Sequence, residues 1–159
     1  MPSRPAVLER SVEIAAPVSA VFAFHLDTRN AALISPPSTR VVGVEGRFPV
    51  RAGDLVTLRL RRRPLPLTLA WRVRIESVEP ERRIVDVGER SPFALWRHEH
   101  LFRALCPGRT LLTDRVTYRL RGGRLGEMAG RLLVGRALEG AFAERQRRTR
   151  DLLEGRAGR

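Results

Sequence analysis

The chain has no lysine. All 30 of its basic residues are arginine, set against 17 aspartates and glutamates, for a net charge of +13. An arginine-only basic set points to a GC-rich coding genome, in which arginine codons replace lysine codons throughout. That weakens the step from positive charge to a nucleic-acid partner. The arginines are also dispersed. In Leu58-Arg59-Leu60 and Trp71-Arg72-Val73-Arg74-Ile75 they alternate with apolar residues, as on the solvated face of a sheet. Only Arg61-Arg62-Arg63 and Arg145 to Arg150 are dense. The first run precedes Pro64-Leu65-Pro66 and reads as a turn; the second suits the C-terminal end of a helix. Aromatics interleaved with basic residues, as single-strand binders use, are scarce. No nucleic-acid partner is expected, while weak attraction to anionic surfaces stays open.

Cysteine is nearly absent too. One residue, Cys106, excludes an internal disulfide framework and reads as an incidental thiol at a hairpin tip. No charged segment followed by an apolar one opens the chain, so no signal peptide is expected. No apolar run approaches the about 18 residues of a membrane span. The expected compartment is the cytoplasm. Neither a nucleophile elbow nor a phosphate loop occurs, and no cofactor is expected. What the chain does have is 159 residues, 43% of them hydrophobic, enough for one domain over 1–159 with a core from about residue 8 to 154.

Periodicity places the elements. Glu9 to Ala15 reads as a strand after a loose tail over residues 1–6. Pro17 suits the first position of a helix whose apolar face is Val18, Val21, Phe22 and Leu26. His25, near the end of that helix, reads as an exposed or capping residue. A short second helix covers Asn30 to Ile34, and Ser35-Pro36-Pro37 stops it. Strands follow at Thr39–Glu45, Asp54–Arg62, Leu67–Glu79, Arg83–Glu89, Leu95–Leu105 and Thr110–Arg121. Gly122-Gly123 breaks the sheet, and a helix runs from about Leu125 to Leu153, with apolar positions including Leu125, Met128, Leu132, Leu138 and Phe142. Gly126, Gly130, Gly135 and Gly140 each cost that helix about 1 kcal/mol against alanine. Close helix–sheet contact explains them as well as does space kept for a ligand.

The last two strands are the most informative. At period two, Trp96, His98, His100 and Phe102 share one face, and Leu112, Asp114, Val116, Tyr118 and Leu120 share another. With a turn at Cys106-Pro107-Gly108 and Leu105 facing Arg109, His100 stands opposite Asp114, Phe102 opposite Leu112, His98 opposite Val116 and Trp96 opposite Tyr118. On the outer face Glu99 meets Arg115. Asp86 faces away from Val85 and Val87, on a side the pattern does not fix.

Three pieces carry a resemblance. They are the junction Ile14-Ala15-Ala16-Pro17-Val18 with Val21-Phe22, the hairpin segments Ser91 to His100 and Leu111 to Tyr118, and Leu125-Gly126 with Arg136-Ala137-Leu138-Glu139. Together they resemble the START-like (SRPBCC, helix-grip) superfamily. Within it they are most similar to the polyketide cyclase/dehydrase-like group, including the ligand-binding domain that some bacteria fuse to an epimerase-like partner. The resemblance implies an α+β helix-grip fold, a curved antiparallel sheet around a long C-terminal helix with two short N-terminal helices. It further implies a cavity for a lipid-like, aromatic or polyketide-like molecule, without implying catalysis.

Within such a cavity Trp71, Trp96, His98, Phe102, Val116 and Tyr118 are the expected ligand-binding residues, and His100 with Asp114 the candidate catalytic pair. Three readings of the polar cluster stand. Asp114 and His100 form a satisfied structural pair; or Asp114 orients His100 as a general base for proton abstraction or dehydration; or His98, His100 and Asp114 hold a metal, which the resemblance argues against. The function expected is binding of a small hydrophobic ligand. The alternatives are a cyclase or dehydratase using the His/Asp pair, and an interaction module acting with a partner protein or a second copy.

Overall fold

The computed structural model describes residues 4–62 and 67–156, and the backbone alone for 123–129. Alternating apolar and polar residues make strands of Ala6–Ile14 (β1), Thr39–Glu45 (β2), Leu55–Arg62 (β3), Thr68–Glu79 (β4), Arg83–Arg90 (β5), Leu95–Cys106 (β6) and Arg109–Arg119 (β7). They pair antiparallel in the order β1-β7-β6-β5-β4-β3-β2. Two short helices, Val18–Leu26 (α1) and Ala31–Ile34 (α2), carry the chain from β1 at one edge to β2 at the other. A long helix, Gly123–Leu153 (α3), follows β7. The curved sheet wraps α3, and the architecture is the expected α+β helix-grip.

Local chemistry sets the joints. Pro17 is the residue before α1 rather than its first, holding φ at −61°. Asp27 accepts the Arg29 backbone N–H at 3.1 Å and starts the 3-10 turn Thr28–Asn30. Gly122 turns the chain into α3 at φ 99°, a conformation that disfavours any side chain. β1 begins at Ala6, earlier than expected, because Ala6, Val7 and Leu8 pair with Tyr118, Thr117 and Val116.

The concave face holds the core. Ile14, Val21, Phe22, Ile84, Phe102 and Leu112 pack beneath α1; Val50, Val56, Val73 and Ile75 pack under the far strands; Trp96, Val116 and Tyr118 pack against Phe142 of α3. Each such apolar side chain contributes about 1.5–3 kcal/mol on burial. The fully buried Thr110 hydroxyl donates to Ala16 O at 2.8 Å, tying β7 to the start of α1.

The β6–β7 register is the expected one from Leu95↔Arg119 to Ala104↔Thr110. At the tip it departs. Cys106, not Leu105, pairs with Arg109, because a bulge absorbs one residue. The outer-face pair also differs: Glu99 stands opposite Arg115 but takes Arg97 as its salt-bridge partner, and Arg115 reaches across to Glu9 at 2.7 Å. The helix glycines divide. A Cβ on Gly130 would lie 2.9 Å from Leu120 Cδ1, and one on Gly135 3.4 Å from the Tyr118 hydroxyl. Gly140 has nothing within 4 Å. Close contact therefore explains Gly130. The surroundings of Gly126 and the Leu125 and Met128 side chains, like the expected turn over 63–66, lie outside what is described.

Candidate active site between sheet and helix

Strand alternation sends His98, His100 and Asp114 inward from β6 and β7, all three 8% exposed or less. Asp114 is the hub. Its Oδ1 accepts from His98 Nε2 at 3.0 Å and lies 2.8 Å from His100 Nδ1, and its Oδ2 accepts from Gln146 Nε2 at 2.7 Å. The His100 contact is too oblique for a well-formed hydrogen bond and leaves Nδ1 buried without a partner. Gln146, on α3, also donates to the Arg10 carbonyl at 2.8 Å, bridging helix, β1 and the cluster.

Three groups of the cluster were not brought in by the sequence reading: Gln146, Asp86 and His25. Asp86 on β5 points inward, with Oδ2 3.4 Å from His98 Nδ1. His25 is not a cap or a surface residue. Its ring packs 4.8 Å from that of His100 and 5.3 Å from Phe102, and its Nδ1 donates to Val21 O at 2.8 Å. Signals for two of these groups existed. His25 lies four residues after the buried Val21, and Gln146 four after the buried Phe142, so each is a polar residue on an inward helical stripe.

The environments push the histidines apart. Burial opposes a charge on His98, but its bonds to Asp114 and Asp86 outweigh burial and raise it to about 9. For His100, burial and the neighbouring His98 charge lower the pKa. Burial, aided by His100, drives His25 down to about 3. Burial works against ionising Asp114, yet His100 and His98 hold it well below the usual carboxylate range. Asp86 is likewise lowered, by His98 against its burial. At neutral pH the cluster is thus one imidazolium between two carboxylates, beside two neutral imidazoles.

An aromatic wall continues from this cluster. The Trp96 ring packs 4.7 Å from Trp71, 4.9 Å from Phe93 and 6.5 Å from Phe142, and Phe93 packs 5.8 Å from Tyr118. These side chains and the cluster lie on the inner face of the sheet, which with α3 forms a hydrophobic cavity. Phe93, in the interruption before β6, is an addition to the expected set; Trp71, Trp96, Phe102, Val116 and Tyr118 all sit on the inner face. The Trp71 indole N–H is buried without a hydrogen-bond partner.

Asp86, His98 and His100 offer ligand atoms within 4.8 Å of one another, close enough to share a cation. That set contains Asp86 where the sequence reading placed Asp114. His98 already spans two carboxylates with both ring nitrogens, so it would have to release one of them, and its proton, to bind a metal. Among the described residues no helix is long and apolar enough to cross a membrane.

The model of the polyketide cyclase/dehydrase and lipid transport family matches residues 14–144. No curated protein matches at the level of sequence. Among solved structures, the Zhui aromatase/cyclase from a Streptomyces species superposes with a TM-score of 0.78 at 18% identity, covering 96% of this chain and 95% of that one. The di-domain ARO/CYC StfQ of the steffimycin biosynthetic pathway gives 0.77 at 15% identity over 98% of this chain and 53% of its own. Truncated norcoclaurine synthase from Thalictrum flavum gives 0.73 at 10%, covering 96% of each chain. At these identities the likeness is one of fold.

Proposed function

Because the chain belongs to the polyketide cyclase/dehydrase and lipid transport family, we propose that it takes a hydrophobic, carbonyl-bearing molecule into the cavity and catalyses cyclisation or dehydration with His100 as general base. The observation that carries this reading is geometric: His98 spans the carboxylates of Asp86 and Asp114, and His100 Nδ1 lies 2.8 Å from the same Asp114. His98 takes the proton, and His100 stays neutral beside an ionised Asp114. With His100 Nδ1 turned to that carboxylate, the Nδ1–H tautomer is favoured and Nε2 carries the lone pair.

The chemistry follows. His100 Nε2 removes a proton from a carbon next to a carbonyl, and the C–H electron pair becomes an enolate. The enolate carbon bonds to a second carbonyl carbon, whose oxygen takes the proton back from His100. Loss of a further α-proton with the hydroxyl then expels water and leaves a double bond. The imidazolium of His98, its ring 4.1 Å from that of His100, favours the enolate charge. The unpaired Trp71 N–H is a donor for a ligand carbonyl. The aromatase/cyclase relatives work on the same scaffold, which supports this reading over simple carriage. The exposed free thiol of Cys106 suits a reducing compartment, and we place the protein in the cytoplasm.

The test uses β-tetralone, an aromatic ketone with exchangeable α-protons. Protein should accelerate their exchange into deuterated water, followed by proton NMR, with a rate that rises below pH 6.5 and levels off by neutrality as His100 loses its proton. His100→Ala should abolish the acceleration while quenching of Trp71 and Trp96 fluorescence still reports binding. Undiminished exchange in that variant would sink the assignment. Loss of binding and fold together in both His100→Ala and Asp114→Asn would make the cluster structural.

A further inference from the structure

We infer that the β2–β3–β4 end of the sheet is a docking surface for an anionic lipid bilayer, placed at the open end of the cavity. Exposure along the inner face carries the first part. Ile75 and Val73 of β4 are buried at 4% and 6%, Trp71 is half-buried, and Leu69 is 51% exposed, with Leu67 beyond it at 61%. On β3 the same progression runs from the fully buried Val56 to the half-buried Leu60, which stands directly opposite Leu69. The inner wall therefore emerges into solvent at this end, presenting leucines where the other end is sealed by α1.

The second part is charge. Arg40 of β2 stands directly opposite Arg61 of β3, and Arg62 follows it, all exposed. Like charges directly opposite destabilise a sheet. Other arginines of the sheet are answered by glutamates: Arg59 by Glu45, Arg74 by Glu89 and Arg97 by Glu76. Among the described residues no carboxylate lies within salt-bridge reach of Arg40, Arg61 or Arg62. Arg72 and Arg90 form another opposed pair unanswered among the described residues, across β4 and β5; at the β2–β3–β4 end three arginines adjoin two exposed leucines. Apolar side chains at one end of the inner face, with Arg40 and Arg61 on the outer face of the same strand ends, match the bilayer interface, with leucines entering the acyl boundary and guanidiniums at the level of anionic headgroups. An acidic protein would answer the charge but leaves the leucines at the cavity mouth without a role. A bilayer uses both, and lets a water-insoluble ligand pass to Trp71 without crossing water.

The experiment is co-sedimentation of the full chain with vesicles of phosphatidylglycerol and phosphatidylcholine, against vesicles of phosphatidylcholine alone. Binding to the anionic vesicles only is expected. Replacing Arg40, Arg61 and Arg62 together by Gln should lower the partition coefficient about a hundredfold. Removing the same charge at Arg51, Arg82 and Arg103, all exposed at other places, should lower it far less. Leu67→Ser with Leu69→Ser should weaken binding about tenfold or more with net charge unchanged. Equal loss in the two arginine triples, or no loss in the leucine variant, would overturn the proposal, and retained binding to an acidic polypeptide alone would assign the face to a protein instead. Ketone exchange in these variants, which leave His100 and Asp114 intact, separates this result from failure of the catalytic reading.

Discussion

Stability should peak near pH 6.5 and fall on both sides, and the alkaline fall should belong to His98. In the folded chain His98 holds its proton up to about 9, against 6.5 for an ordinary histidine. Between those values the native state keeps a proton that the unfolded chain has lost, so stability drops as pH rises, by about 1.4 kcal/mol per pH unit. Below 6.5 the stabilisation is fully present. Across the window the loss sums to about 3 kcal/mol, a large share of the stability of a chain this size. His25 and His100 act with the opposite sign. Both are lowered, so as pH falls below 6.5 the unfolded state binds protons that the native state refuses, and stability falls again. Urea unfolding at half-unit steps from pH 4 to pH 9 measures both limbs. In His98→Gln the alkaline limb should vanish while the acid limb remains. A native protein whose stability is flat above 6.5, or the same fall in His98→Gln, would refute the charge assignment on which the site rests.

Other perturbations read single contacts. Phe142→Ala removes the ring that α3 sets against Trp96 and His98, and should cost about 3–5 kcal/mol by urea unfolding. Gly140→Ala, with open space around its new Cβ, should raise stability by about 1 kcal/mol, whereas Gly130→Ala should lose that gain to Leu120; equal melting shifts would contradict the packing. Trp71→Phe deletes the unpaired indole N–H. Ligand-free stability should hold or rise slightly while β-tetralone affinity, by fluorescence of Trp96, falls about threefold to tenfold.

The sheet was legible because its signal is local. Alternation in Trp96 to Phe102 and Leu112 to Leu120 determines which side chains share a face, and one-residue slips would turn every core residue outward, so the hairpin register followed from pattern alone. The site was legible only as far as that hairpin reaches. His25 and Gln146 come from helices, and whether a helical residue faces the sheet or solvent depends on how the helix is rotated when it packs. Asp86 sits on a strand with buried apolar residues on both faces, Ile84 on its own side and Val85 on the other, so period two could not choose a side. The Glu99–Arg115 pairing holds in register, but the salt bridges run to other partners. An arginine side chain is long enough to select among several carboxylates, and Arg115 finds Glu9 on β1.

A purely structural cluster would have little use for His100. His98 is held by Asp86 and Asp114, and Asp114 is satisfied by His98 and Gln146. His100 adds an imidazole whose burial disfavours charge and whose Nδ1 meets the shared carboxylate off line. Around it lie Phe102 and His25, surroundings in which a leucine would bury well. Groups that are poor for stability and placed on a reactive carboxylate are what catalysis selects. His100→Leu should therefore leave the fold as stable or up to about 1 kcal/mol more so, while ketone exchange is lost. A destabilisation above about 2 kcal/mol in urea would show that the contact with Asp114 holds the hairpin together, and His100 would then be a structural residue rather than the base.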